Sequence, residues 1–464
     1  MSSGKLKKFS IVFTSDVNRG ISKGGRCPWT SQEDANFVRT TTVGKKKNVV
    51  IVGRITYEKI LKEEPLVKRT TYVISRTYSQ QNHPGVHIFP SIREALSAAA
   101  LGSFDEVFII GGVSIFKEIT ERWMYLCEAI HWTQFKMDYK CDEHFSETVL
   151  DKIPEGKDPT KTQTMIRHFL KPNFGHKEVE LLKVFKRLLT SEGGILAERH
   201  LYGVNFDFLL TDTFPFLTTN QVDANGAFSL FLMALKGVVD VETIRDQEVN
   251  GIYASLKDAT SVASHDAKGT GLEEGDMGPW WGWISRHWGV GYEGKDAVFS
   301  NQGDLLVQAI DGIKSSSRKA LVTFFDPSQS EFSAVHTRYA SMEFVASPDR
   351  AYLDVMVHLY SSEVIEDLKM DVAIFGLYLV SMALMVGCRP RALKFMVNDL
   401  WARRSEPVEK QIARTPLPFP KLSVRNSSRI RGPDDPDMNS WMLKFYESWS
   451  VISPVREDLI KVKK

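Results

Sequence analysis

A chain of 464 residues with 43% hydrophobic content is long enough for two or three domains, and two are expected here. Its 59 basic and 57 acidic residues leave a net charge of +2, so no strong overall field steers the molecule toward nucleic acid or a membrane surface. Four scattered cysteines, Cys27, Cys127, Cys141 and Cys388, lack C-x-x-C spacing, which argues against a disulfide framework and a metal site and fits a reducing compartment.

Only residues 1–8 precede the first apolar run, Phe9-Ser10-Ile11-Val12-Phe13, leaving no room for an ordinary signal or transit peptide, so a cytoplasmic protein is expected. Ile11-Val12, Asn48 to Gly53, Thr70 to Ser75 and Val107 to Gly112 read as β-branched strands. Helical stretches such as Ile92 to Ala100 separate them, which predicts an α/β sheet domain.

Gly20-Ile21-Ser22-Lys23-Gly24-Gly25-Arg26-Cys27-Pro28-Trp29 resembles the G-I-G-x-x-G-x-L-P-W of dihydrofolate reductases, and Asn48 to Glu58 is similar to their N-V-V-I-M-G-R-K-T-W-E. Pro65 to Arg69, Ser75-Arg76 and Phe108 to Gly112 follow in the family's order. The resemblance implies NADPH as hydride donor and one buried carboxylate that binds the pterin amino group and helps deliver a proton to N5. Asp34 is the candidate and Glu33 the alternative, each with a threonine eight residues on, Thr42 for Asp34 and Thr41 for Glu33. Both acids also suit the first turn of a helix after Ser31. By the same resemblance Arg54, Thr56, Ser75, Arg76, Gly111 and Gly112 face the cofactor, the arginines as phosphate partners and the glycines for close backbone approach. Trp29, Phe37, Arg69 and Thr133 face the substrate, with Arg69 on the folate carboxylate. Departures from the family pattern are Cys27 for leucine, Ser22 for glycine, Ile55 for a basic residue, and Glu63-Glu64, whose charge disfavours an anionic folate tail.

Asp151 to Lys161 is polar and breaker-rich, and Pro172-Asn173-Phe174-Gly175 follows the last candidate strand. The expected division is a reductase-like domain over 1–171, a linker over 172–178 and a second domain over 179–464. In that second part Phe214 to Thr219 matches the F-P-L-L-T-T of thymidylate synthases, Glu274 to Gly289 matches E-G-D-L-G-P-V-Y-G-F-Q-W-R-H-F-G, and Pro418 to Leu422 matches P-F-P-K-L. The order reductase then synthase resembles the bifunctional enzyme of protozoa and plants and implies an α+β second domain. The apolar run Val372 to Val386, broken by Gly376 and Ser381, is short for a membrane span and reads as a buried helix.

The synthase chemistry is missing from this part. No cysteine occurs between Asp142 and Gly387, and the nucleophile position falls on Val335, Thr337 or Arg338 depending on the anchor counted from, beside His336. A hydroxyl at its ordinary pKa does not replace a thiolate as the nucleophile on a pyrimidine ring. The family's water-organising glutamate aligns with Leu230, its nucleotide-binding arginine with Tyr360, its uracil-reading asparagine with Asp371, and its ribose-binding H-x-Y with Asp399 and Trp401. Arg199 stands near the lost phosphate loop as a replacement candidate, and His287 and Trp280-Trp281-Gly282-Trp283 read as structural. Synthase activity is therefore expected to be absent, with the domain kept as a dimerisation scaffold for a homodimer or a heterodimer. Either the first domain still reduces dihydrofolate, or the chain is a non-catalytic pseudoenzyme that pairs with an active homologue or a larger assembly.

Overall fold

The computed structural model describes residues 5–43, 47–61, 66–77, 85–151, 153, 159–172, 174–191, 198–210, 213–220, 222, 224–240, 272–273, 276, 278–295, 303–329, 338–419, 432–433 and 435. Two compact units result, Met1–His176 with Ala413–Thr415, and Lys177–Ile412 with Pro416–Lys464. The boundary falls inside the expected linker, where a helix already starts at Lys177 rather than 179, and the return of 413–415 to the first unit has no signal in the sequence.

The first unit runs β1 (Phe9–Ser15), β2 (Gly20–Ser22), α1 (Gln32–Val43), β3 (Asn48–Gly53), α2 (Arg54–Thr56), β4 (Thr70–Ile74), β5 (Val86–Phe89), α3 (Ile92–Leu101), β6 (Glu106–Gly111), α4 (Val113–Glu118), β7 (Cys127–Phe135), β8 (Glu143–His144), α5 (Glu147–Leu150), β9 (Thr160–Lys161) and β10 (Met165–Leu170). Eight of the strands form one sheet in the order β5-β4-β3-β6-β1-β7-β10-β9, parallel from β5 through β7 and antiparallel at β10 and β9. All six residues of β3 are buried, as a central parallel strand covered on both faces requires. The chain moves outward from β1 to β3, β4 and β5, then returns to lay β6 between β3 and β1. Such a reversal opens a crevice at the carboxyl ends of the strands, where ligands bind in open α/β sheets.

The second unit contains α6 (Lys177–Thr190), β11 (Arg199–Leu209), α7 (Ala224–Lys236), α8 (Trp281–Arg286), α9 (Leu305–Ser315), β12 (Lys319–Thr323), β13 (Tyr339–Ala346), β14 (Tyr352–Glu363), α10 (Leu368–Val386), β15 (Arg389–Ala402) and α11 (Ser405–Ile412). Its five-stranded sheet has the order β11-β15-β14-β13-β12, with β14 and β15 parallel and the other pairs antiparallel. One face packs on a core that includes α7, α8 and α10, where Trp280, Trp281 and Trp283 are all buried. Among the described residues α10 is the one helix apolar and long enough to cross a membrane, yet 83% of its most apolar window is buried in this core. It ends at Gly387, whose φ of 75° gives the left-handed C-cap.

The opposite face of that sheet carries two rows of cross-strand neighbours, none of them buried. One row is Asp207, Lys394, Met356, Glu343 and Leu321, and the other is Asn205, Met396, His358, Ser341 and Thr323. Leu321 is 63% exposed, which for a leucine in mid-strand marks an uncovered surface within the chain.

Candidate functional site

The carboxylate of Asp34 is the centre of the first unit's crevice. Asp34 lies in the first turn of α1, where its N–H donates to Ser31 Oγ at 3.2 Å, and its side chain is turned inward and only 8% exposed. Thr14 Oγ1 on β1 donates to both carboxylate oxygens at 2.9 Å. Thr133, fully buried on β7, pairs with Thr14 in the sheet register. Its hydroxyl helps stabilise the charged Asp34, although its Oγ1 makes no hydrogen bond of good geometry. Burial nevertheless raises the Asp34 carboxyl above its usual value, against the hydroxyls of Thr14 and Thr133 and the charge of Arg167. Burial, and then the Asp34 charge, push the nearby Cys27 thiol up to about 11.

Glu33 does not share this setting. Its side chain is 49% exposed and ion-paired with Arg167 at 2.9 Å, so it is half in solvent where Asp34 is buried. The expected pairing of Asp34 with Thr42 is also absent. Eight residues of helix rise about 12 Å, and Thr42 Oγ1 instead donates to Val38 O and accepts from Arg69 Nη1 at 2.6 Å. Asp34 and Arg69 therefore mark opposite ends of α1, the buried end suited to a ring and the far end to an anion. Burial and the charge of Arg39 lower the Arg69 guanidinium from its usual value. Trp29 packs with Phe135 and Tyr139, each at 5.4 Å, and Phe37 carries the Arg167 guanidinium 4.7 Å above its ring. Glu63-Glu64 lies outside the described residues.

The residues expected to meet the cofactor follow the carboxyl ends of three adjacent parallel strands: Arg54 and Thr56 after β3, Ser75 and Arg76 after β4, Gly111 and Gly112 at the end of β6. A Cβ on Gly112 would stand 2.6 Å from Thr56 Oγ1, and one on Gly111, at φ 111°, 2.9 Å from Phe116, so neither position admits a side chain. Two cations, two hydroxyls and a bare backbone fit a phosphate-bearing dinucleotide. Arg54 is shared with Glu58, at 2.8 Å.

In the second unit the residues aligned with the synthase site make contacts within the chain. Asp371, wholly buried, accepts from Arg338 Nη2 at 2.8 Å, Tyr339 Oη at 2.7 Å and Ser362 Oγ at 2.8 Å. Arg338 also pairs with Asp367 at 3.1 Å. With both Asp371 oxygens engaged, the residue is not available to read a base. Asp399 accepts from His200 at 3.0 Å, and Trp401 lies parallel to the same imidazole. Tyr360 is 44% exposed and Leu230 packs at the edge of the core. Arg199 donates to the Ser191 carbonyl beyond the end of α6. His287 stacks on Trp283 at 4.9 Å, in keeping with a structural histidine. Val335, His336 and Thr337 lie outside the described residues. Sequence reasoning missed Thr14, Arg167 and the pairing of Arg338 with Asp371; for Thr14 the signal is its place in a strand that precedes the acidic pair, while the other two depend on long-range contacts.

The two folds are those of a dihydrofolate reductase domain followed by a thymidylate synthase domain. Family models for dihydrofolate reductase and thymidylate synthase match residues 8–162 and 193–454. Bifunctional dihydrofolate reductase-thymidylate synthase of Paramecium tetraurelia is 26% identical over 455 residues, covering 91% of this chain and 94% of the relative. Bifunctional dihydrofolate reductase-thymidylate synthase 1 of Arabidopsis thaliana is 24% identical, covering 91% of each chain, and the Leishmania major protein of the same description 25%, covering 90% and 89%. The chain belongs to the bifunctional dihydrofolate reductase-thymidylate synthase family.

Proposed function

We propose that the first unit is an NADPH-dependent dihydrofolate reductase and that the second is a synthase-derived scaffold, without synthase activity, through which two chains pair. The observation that supports the reductase most is the buried Asp34 carboxylate, set over Thr14 and Thr133 at the same end of the sheet as Gly111-Gly112. In this reading Asp34 accepts the ring amino group and assists protonation of N5, while Arg69 receives the anionic tail. NADPH, held by Arg54, Thr56, Ser75, Arg76 and the glycine pair, supplies the hydride. The loss of synthase chemistry is supported by the missing cysteine and by the closed Arg338–Asp371 cluster. The open sheet face supports pairing.

The competing reading is a non-catalytic chain that pairs with an active homologue. It uses the same sheet face and draws on the neutralisation of Arg54 by Glu58. NADPH oxidation followed at 340 nm with dihydrofolate separates the two. The reductase reading expects turnover that Asp34→Asn lowers by about 10²–10⁴-fold; a folded protein with no turnover would leave the pseudoenzyme.

A further inference from the structure

Arg167 has no part in the reductase reading, yet the fold sets it in the row of strand residues that carries Thr14 and Thr133. It stands on β10 directly opposite Thr133 in the register β1-β7-β10, so Thr14, Thr133 and Arg167 form one row across three strands. Its guanidinium sits over the Phe37 ring, donates to Glu33 Oε1 at 2.9 Å, and is only 22% exposed. Arg167 Nε is buried with no acceptor among the described residues, a cost that calls for an explanation.

The groups around Asp34 come from every side. Glu33 lies on its own helix, Thr14 on β1, Thr133 on β7, Arg167 on β10, and Cys27 on the segment before Trp29. Arg167 is the cation of this set. A buried carboxylate can hold a neutral aminoheterocycle through N–H donors, or a protonated diaminopyrimidine as an ion pair. A fixed guanidinium beside the carboxylate favours its ionised form and repels a cationic ring, so it separates these two ligand classes by charge.

We propose that Arg167 is a positioning residue for Asp34 and a specificity determinant of this pocket: braced by Glu33 and Phe37, it keeps the carboxylate ionised and favours neutral aminoheterocycles of the pterin class over protonated diaminopyrimidines. The ligand class rests on the reductase reading; the action on Asp34 does not.

The test uses the full chain with ¹³C-carboxyl aspartate, the Asp34 signal being assigned by its loss in Asp34→Asn. Arg167→Met raises the Asp34 titration midpoint by about one pH unit, and Arg167→Lys restores most of the difference. Glu33→Gln, made on an exposed side chain that leaves the packing alone, moves the midpoint down, because a negative neighbour is removed and Arg167 is freed. An unchanged midpoint in the Met variant overturns the positioning role, and Arg167→Gln, which keeps a polar side chain without the charge, decides it where the Met variant does not fold. In calorimetric binding, Arg167→Met gains roughly tenfold for a protonated 2,4-diaminopyrimidine and does not gain for a neutral 2-amino-4-oxopteridine. Equal changes for both overturn the specificity. Binding of neither ring by the parent chain, with midpoints that move as stated, overturns the ligand class together with the reductase reading and upholds the action on Asp34.

Discussion

Asp34 and Glu33 are neighbours with the same functional group and opposite surroundings, because adjacent positions on a helix point about 100° apart. One carboxylate enters the crevice under Thr14; the other meets solvent and Arg167. The raised Asp34 value has a thermodynamic sign. Its folded-state pKa lies above the unfolded value of about 3.9, so the folded chain holds the proton more tightly. Stability from this group is fully present below the unfolded value and is lost as pH rises through the folded one. Asp34→Asn is therefore expected to unfold at a higher temperature than the parent at pH 7, with the gap closing toward pH 4 in calorimetric scans. A gap that widens on acidification would contradict the burial argument. The acidic pair itself was legible in the sequence, since it follows Ser31 and precedes Phe37. Which member turns inward was not, because that depends on how α1 is rotated against β1 and β7, and Thr14 and Arg167 reach the site from strands far away in the chain.

At the scale of elements, apolar runs announced most of what forms. The unbroken Asn48-Val49-Val50-Ile51-Val52-Gly53 became the fully buried β3, and Val372 to Val386 became most of α10. The two-residue strands β8 and β9 carry no such pattern, since pairing with a distant partner defines them. Polar links between elements were equally hidden. Glu178, at the start of α6 and wholly buried, accepts from the backbone and hydroxyls of both Thr218 and Thr219 and so ties the F-P-x-L-T-T loop to the helix. Asp304 caps α9 through Val307 N–H and pairs with Arg286 at 2.8 Å, each side chain only 4% exposed. Arg286 also donates to the carbonyl of Leu235 in α7. Asp304→Ala removes the cap and the carboxylate that pairs with a buried guanidinium, and is expected to destabilise the second unit by about 3–5 kcal/mol in urea unfolding followed by tryptophan fluorescence. Asp304→Asn keeps the capping oxygen and is expected to cost less.

At the scale of the whole molecule, the second unit keeps a packed aromatic core and carries no cysteine between Asp142 and Gly387. Pairing through the sheet gives a direct prediction. The full chain should sediment at twice its 52.5 kDa, and Met356→Glu with Met396→Glu, on the open face, should yield a folded monomer. A double variant that stays dimeric would place the interface elsewhere. If the second unit is the scaffold proposed above, the Arg338–Asp371 pair also bears on the route by which synthase chemistry could return. Changing Asp371 first leaves a guanidinium without its main partner, and changing Arg338 first leaves a carboxylate in the core facing only hydroxyls. Asp371 is wholly buried while the Arg338 side chain is 32% exposed, so leaving the carboxylate without its cation is the costlier of the two changes. In the scaffold reading proposed above, each single change at this pair is therefore uphill in stability before any activity is there to be selected. On that reading the pair works as a ratchet, holding the second unit in the scaffold state by the cost of undoing either half.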